Sequence, residues 1–196
     1  MITTVQPKIV TEEEYLTNPR YKHCEYVDGQ VVPAWLILDD DGSLPESEET
    51  QSLGTARHST IQFLLPLYIG FYLRDHPIGW GAAELHCLIP VRGKRQYRIP
   101  DLSVVIGEPL TQRRYLDRAP DFVIEIRSPD DKLEECYRKM GEYFEAGTKL
   151  RWLVLPEDES ILVFLPGGVT QAFGLGETIT GGNVLPGFEL LIDKLF

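Results

Sequence analysis

Two apolar, strand-like segments that each contain one acidic residue constrain the fold of this chain more than any other feature. Residues 98–106 (RIPDLSVVI) and 121–127 (DFVIEIR) alternate in the manner of β-strands, with Asp101 and Glu125 inside them. Both acids lie in strongly apolar surroundings, where an unpaired charge is costly. Each acid therefore needs a compensating partner, and a divalent cation between the two strands is one such partner.

Ion pairs within the protein are the other source of compensation. Glu125 can pair with Arg98 or Arg127, and Asp101 can cap the end of its strand. The residues alone leave this structural interpretation and the metal-binding interpretation both open.

The neighbouring segments predict a layered α/β arrangement. An almost continuous apolar run at 58–75 has the length of a buried helix, which Pro66 should kink or break. Residues 82–91 predict a third strand, and apolar residues at helical spacing predict a helix at 130–146, capped by Ser128 or Asp130. Further strands are expected at 150–156 and 160–166.

Both ends of the chain are expected to add β-structure. Asp28 and Gly29 stand between two short apolar runs and are a strong signal for a two-residue hairpin. Residues 11–17 predict a short helix that Thr11 caps. The fold class is thus α/β, with a core of helix, three strands, helix and strand and added β-hairpins at both termini. A chain of 196 residues is expected to form a single domain, 1–196.

The charge balance argues against a protein that coats nucleic acid. Nineteen basic and thirty acidic residues give a net charge of −11, and residues 39–56 add an acidic, turn-rich loop. Proteins that bind nucleic acid without a metal are usually basic, because neutralisation of phosphates supplies most of the affinity. Carboxylates that hold a metal add negative charge themselves, so a metal-dependent enzyme of nucleic acids stays compatible.

The expected location is the cytoplasm, without membrane contact. No apolar run approaches the ~20 residues that a membrane-spanning helix needs. The N-terminus has neither the basic start nor the apolar stretch of a secretion signal. The three cysteines (Cys24, Cys87 and Cys136) are scattered and form neither a disulfide framework nor a zinc module.

Two lysines lie on one edge of the helix expected at 130–146. Lys132 and Lys139 are seven residues apart, which is about two helical turns. A lysine at the edge of the apolar stripe can lay its stem along the core and bring its ammonium group to the sheet. For each lysine alone, a solvated position is the simpler interpretation.

The order of these motifs resembles one known family. The segments that match are EYVDG (25–29), His58, PDLSVV (100–105), DFVIEIRSPDD (121–131), Lys139, Tyr143, AGTKLRWLVLPEDESILVF (146–164) and LPGFEL (185–190). In this order and spacing they resemble the Uma-type restriction-endonuclease-like family of the PD-(D/E)XK nuclease superfamily. The resemblance covers most of the chain from about Glu12 onward.

The resemblance implies a metal-dependent phosphodiesterase site. Asp101 and Glu125 would be metal ligands for Mg²⁺ or Mn²⁺, and Lys139 would be the catalytic lysine. The usual position of that lysine, two residues after the strand acid, holds Arg127 here. An arginine cannot lose its proton at neutral pH, so Lys139 is the first candidate for the lysine role, with Lys132 and Arg127 as alternatives.

Four residues are accessory candidates by the same resemblance: Glu25, His58, Arg127 and Lys132. A solvated histidine at the start of the long helix is the simpler interpretation of His58, and Glu25 has the alternative role of holding the hairpin. Glu84 and His86 share one face of the strand expected at 82–91, and their role is left unassigned.

The function that the resemblance implies is hydrolysis of nucleic-acid phosphodiester bonds, with DNA as the expected substrate. A homodimer is compatible with the long apolar helix and the β-rich termini. The alternative is a catalytically inactive protein with a nuclease fold that acts as a protein-interaction or regulatory module, which an acidic surface suits better than DNA. Absence of divalent-ion binding together with a stable hetero-complex would favour that alternative.

Overall fold

The computed structural model describes residues 9–33, 56–109 and 115–196. Three α-helices run over Glu12–Thr17 (α1), Ala56–Asp75 (α2) and Leu133–Glu145 (α3). The strands are Cys24–Val27 (β1), Gln30–Pro33 (β2), Gly79–Ala83 (β3), Cys87–Leu88 (β4), Tyr97–Arg98 (β5), Leu102–Ile106 (β6), Phe122–Ile126 (β7), Leu150–Leu155 (β8), Ser160–Phe164 (β9), Thr170–Phe173 (β10), Thr178–Gly181 (β11) and Leu185–Leu191 (β12).

The central sheet has six strands in the order β10-β9-β8-β7-β6-β3. Strands β7 and β8 are parallel, and α3 makes the crossover that a parallel pair requires. The other neighbours are antiparallel. Along the chain, α2, β3, β6, β7, α3 and β8 form the order of helix, three strands, helix and strand, so the predicted α/β core is confirmed.

Alternation along β6 and β7 separates the core into two layers. Val104 and Ile124 pack in the layer that contains α2, whereas Val105 and Val123 pack in the layer that contains α3. Glu125 is an even number of residues from Val123 and therefore belongs to the face of the sheet that α3 covers. Asp101 immediately precedes the first residue of β6.

The predicted β-additions are present at both ends. Strands β1 and β2 form a hairpin that joins a four-stranded sheet, β2-β1-β5-β4, and β11 pairs with β12. Asp28 (φ 50°) and Gly29 (φ 83°) both have positive φ, as a type I′ turn requires. Thr11 caps α1 as expected, because its Oγ1 accepts a hydrogen bond from the Glu14 amide at 3.1 Å.

The prediction of one strand over 82–91 was wrong. Strand β3 ends at Ala83 in the central sheet, and β4 belongs to the other sheet. Glu84 lies between them with φ 50°, a left-handed conformation that is costly for a residue other than glycine. The segment 98–106 is likewise divided into β5 and β6, since Ile99, Pro100 and Asp101 leave the sheet conformation between them.

Two helix details also differ from expectation. Helix α2 continues through Pro66 without a break. Helix α3 begins at Leu133 with Lys132 as its N-cap residue, so neither Ser128 nor Asp130 caps it. Lys132 therefore precedes the helix instead of sharing a helical edge with Lys139.

No helix in the described ranges is long and apolar enough to cross a membrane. Most of the acidic loop expected at 39–56 lies outside the described residues, which resume at Ala56.

Candidate functional site

Asp101 and Glu125 lie at the same end of the β6–β7 pair. The antiparallel register pairs Leu102 with Ile124, and each acid is the chain neighbour of one residue of this pair. The amide of Ile126 donates a hydrogen bond to Asp101 Oδ2 at 2.7 Å. Tyr143 Oη donates to Glu125 Oε1 at 2.5 Å. Among the described residues no hydrogen bond engages the other oxygen of either carboxylate, so each acid is held by one oxygen and keeps the second for a ligand.

Helix α3 brings a lysine and a tyrosine to these acids. Lys139 and Tyr143 are four residues apart and thus lie on the same helix face, one turn from each other. Tyr143 is fully buried, and the Lys139 side chain is 19% exposed. The Lys139 Nζ lies 3.6 Å from Glu25 Oε1. The expected placement of a lysine stem along the core with its ammonium near the sheet is thus observed for Lys139.

A buried ion-pair cluster of Arg98, Glu25 and Glu142 lies next to the site. The Arg98 guanidinium binds Glu25 Oε2 at 2.6 Å and Glu142 Oε2 at 2.7 and 2.9 Å. The Ile99 amide also donates to Glu25, at 3.1 Å. Arg98 therefore pairs with Glu25 and Glu142 and not with Glu125. The ion-pair interpretation of the sequence had suggested Glu125 as its partner. Both oxygens of Glu25 are engaged by protein donors, and Glu25 pairs with Arg98 and Lys139.

The carboxylates open into a cavity of about 320 Å³. Its lining includes Asp101, Glu125, Lys139, His58, Glu84 and Asp131. The cavity is therefore polar, and it brings Asp101, Glu125 and Lys139 together.

Burial and crowding of negative charge raise the pKa values of both acids. Burial raises the pKa of Asp101 to about 6, and the charges of Asp131 and Glu84 act in the same direction against the Ile126 amide and Lys139. Burial likewise raises the pKa of Glu125 to about 7, with Asp101 adding to the effect and Lys139 opposing it. The site therefore holds more negative charge than its own cation neutralises.

Lys139 and Glu25 stay charged at neutral pH. Burial alone would lower the pKa of Lys139, but Glu125 and Glu25 together raise it above its ordinary value. Burial alone would raise the pKa of Glu25, but Lys139 and Arg98 hold it below its ordinary value. The charges of Glu125 and Glu25 therefore favour the protonated form of Lys139.

The other accessory candidates, His58, Arg127 and Lys132, differ in whether they line the cavity. His58 lines the cavity, and its Nδ1 is 3.4 Å from Ser128 Oγ. Arg127 donates from Nε to the Asp131 carbonyl at 3.2 Å and is not part of the cavity lining. Lys132 is exposed and does not line the cavity either.

Glu84 is a lining residue that the sequence left unassigned. Its amide donates to the Asp101 carbonyl at 3.4 Å, and Gln62 Nε2 donates to its carboxylate at 3.4 Å. The left-handed φ of Glu84 turns the chain from one sheet to the other beside Asp101. The sequence left open whether Glu84 joins a metal site or faces solvent, because a non-glycine residue carries no sequence signal for such a turn.

A family model described as "Putative restriction endonuclease" matches residues 46–193. The chain belongs to the Uma2 family. Its fold is similar to that of a protein from Anabaena variabilis ATCC 29413, whose crystal structure is described as that of "a putative nuclease belonging to DUF820". That similarity has a TM-score of 0.73 at 23% sequence identity and covers 95% of this chain and 97% of the other. No curated protein matches the sequence. Membership in Uma2 supports a nuclease and confirms the resemblance seen in the motifs.

The donor set of this Uma2 site fits a hard divalent cation. In the described part of the chain, no group of three or more histidine, cysteine or acidic side chains has the arrangement of a metal site. Two carboxylates with one unengaged oxygen each, within an excess of negative charge, suit Mg²⁺ or Mn²⁺. Such ions prefer oxygen and take few protein ligands, with water or substrate completing the shell. A closed structural zinc site would instead need four protein ligands.

We expect Asp101→Asn to stabilise the metal-free protein. At a pH above the raised pKa values, the ionised carboxylates of Asp101 and Glu125 oppose folding, and this penalty fades as the pH falls toward the ordinary carboxyl pKa values. The asparagine oxygen can still accept the Ile126 amide, so the free energy of unfolding at about pH 8 should rise by about 1–3 kcal/mol. Denaturation in EDTA measures this, with Asp158→Asn on the exposed surface as the control. A lower stability of Asp101→Asn would instead show that the Asp101 carboxylate stabilises the fold without a metal.

Proposed function

We propose that this protein is a divalent-metal-dependent nuclease that hydrolyses DNA phosphodiester bonds at Asp101, Glu125 and Lys139. The observation that carries the proposal is the pair of carboxylates, half-buried Asp101 and buried Glu125, that line one cavity together with Lys139. Membership in Uma2 supports the same class of activity.

Asp101 and Glu125 would hold the metal through the oxygens that no hydrogen bond engages. When bound, the metal would neutralise phosphate charge and lower the pKa of a bound water, so that hydroxide is available near neutral pH. Ile126 and Tyr143 fix the carboxylates by their hydrogen bonds to the remaining oxygens. This pre-organisation keeps the acids in place while the cavity is open to solvent.

Lys139 would bind the non-bridging phosphate oxygens and stabilise the charge that develops in the transition state. Its raised pKa keeps it protonated, so it would act as a cation and not as a general base. Arg98 and Glu25 position it, because Glu25 lies between the two cations.

We expect Lys139→Met to lower cleavage of DNA about 100-fold, the cost of removing one charge-stabilising donor from a preorganised site. The methionine stem retains the packing along α3 and removes only the ammonium group. Lys132→Met is the matched control, since Lys132 is exposed and does not line the cavity.

The assay is cleavage of a labelled DNA duplex and its single strands with Mg²⁺ or Mn²⁺, compared with EDTA. Cleavage by Lys139→Met at the wild-type rate, or a loss confined to Lys132→Met, would exclude Lys139 from the lysine role. Metal-independent cleavage, or no cleavage with any of these substrates, would argue against the proposed activity.

A further inference from the structure

A second and larger cleft adjoins the carboxylate cavity. It has a volume of about 650 Å³, within the ~300–1,000 Å³ range of small-ligand pockets. Aromatic side chains of four separate segments line it, namely Tyr15, Tyr21, His86 and Tyr115. The proposed chemistry at Asp101 and Glu125 makes no use of this cleft.

The aromatic wall of the cleft is pre-organised. Tyr15 and Tyr21 are stacked with ring centroids 6.4 Å apart and planes 16° apart, and Tyr26 stacks on Tyr15 at 5.2 Å. Tyr15 is 3% exposed, and its hydroxyl donates to the Cys24 carbonyl at 2.8 Å. Tyr21 donates from its hydroxyl to Glu14 Oε1 at 3.2 Å, is partly exposed and lines the cleft.

The cleft and the carboxylate cavity are neighbours. Lys22, His23 and Glu84 line both of them. Lys22 is exposed between the two and offers an ammonium group to a phosphate there. This adjacency makes the aromatic cleft the place for a nucleotide next to a phosphodiester in the carboxylate cavity.

We propose that this cleft binds one unpaired nucleobase next to the scissile phosphate, an inference that rests on the proposed function. Aromatic side chains beside a backbone-binding groove are the usual means of holding single-stranded nucleic acid, because every base has a face that can stack. Stacking of a neutral heterocycle needs no basic surface, which agrees with the net charge of −11. The preferred substrates are then single strands, frayed ends or flaps, and not an uninterrupted duplex.

The test measures binding of a short single-stranded DNA that contains one 2-aminopurine, whose fluorescence is quenched on stacking. Full-length wild type, Tyr21→Ala and Tyr21→Phe are titrated in EDTA and again with Ca²⁺. Tyr137→Ala, on an exposed tyrosine of α3 outside both chambers, is the aromatic control. We expect Tyr21→Ala to bind about 10-fold more weakly and to lose the quenching, since one base–aromatic stack has about this effect. Tyr21→Phe keeps the ring and should bind like wild type.

Three results would overturn this proposal. They are equal affinity of wild type and Tyr21→Ala, no quenching on binding, and no binding of the strand by wild type in either condition. The outcomes also separate the two proposals. Binding that depends on Tyr21 without any metal-dependent cleavage would overturn the proposed function alone. Cleavage that is indifferent to Tyr21 and to base pairing would overturn the cleft alone.

Discussion

Replacing Glu125 with glutamine is expected to reduce DNA cleavage to the level that wild type shows in EDTA. The glutamine oxygen can still accept the Tyr143 hydroxyl, so the substitution removes the negative charge and leaves the packing of α3 on β7 unchanged. Changes to residues that merely support metal ligands already cost about 10–100-fold in affinity or activity. Loss of a ligand itself should exceed that, and a time course with Mg²⁺ and Mn²⁺ measures it.

Glu134→Gln is the control for this experiment, since Glu134 is exposed in the first turn of α3. It should retain the cleavage rate of wild type. Metal-dependent cleavage by Glu125→Gln at the wild-type rate would show that Glu125 is not a ligand, and its burial would then need another explanation.

The second large effect concerns stability. Arg98→Met should destabilise the protein by about 3–5 kcal/mol, because it leaves two carboxylates, Glu25 and Glu142, buried without their shared cation. The methionine retains most of the stem, so the cost reflects the lost charge and not a cavity. The pKa of Glu25 lies below its ordinary value, so its ion-pair contribution is present at neutral pH and is lost only as the pH falls through that lowered pKa.

Arg95→Met provides the matched comparison for Arg98. Arg95 forms an exposed ion pair with Glu12 at 2.7 Å, and exposed pairs contribute only about 0–1 kcal/mol. Urea denaturation of both variants gives the difference directly. A loss for Arg98→Met as small as that for Arg95→Met would show that the buried cluster does not stabilise the fold.

The central pair of acids could be predicted from local sequence, because period-two alternation fixes which face a strand residue occupies. The two strands are neighbours in the chain, so Asp101 and Glu125 were expected to lie close together. The helical spacing after them also led to Lys139. These inferences needed only short-range geometry, together with a resemblance in the order of motifs.

The supporting residues could not be found in the same way. Arg98, Glu25 and Glu142 come from three separate elements, and which carboxylate Arg98 binds depends on how those elements pack. The sequence suggested Glu125 as its partner, but the fold places Arg98 behind the site. The aromatic cleft could not be predicted for the same reason. Tyr21 and His86 line one cleft only because the chain turns at Glu84.

Lys132 shows how an error in one helix boundary affects the interpretation of a site. A helix beginning at 130 would place Lys132 and Lys139 on one edge. The observed start at Leu133 makes Lys132 the residue before the helix and leaves it exposed. The choice between the two lysines therefore depended on about one turn of helix, which sequence patterns define poorly.

The most direct test of the metal site is isothermal titration of wild type and Asp101→Ala with Mg²⁺ and Mn²⁺, alone and with a non-cleavable DNA. We expect binding by wild type that disappears in Asp101→Ala, with the variant remaining folded. Equal binding by the two proteins would contradict it. Absence of binding by wild type at millimolar metal, both with and without the DNA, would contradict it as well, and would favour a nuclease fold that serves as a protein-interaction module.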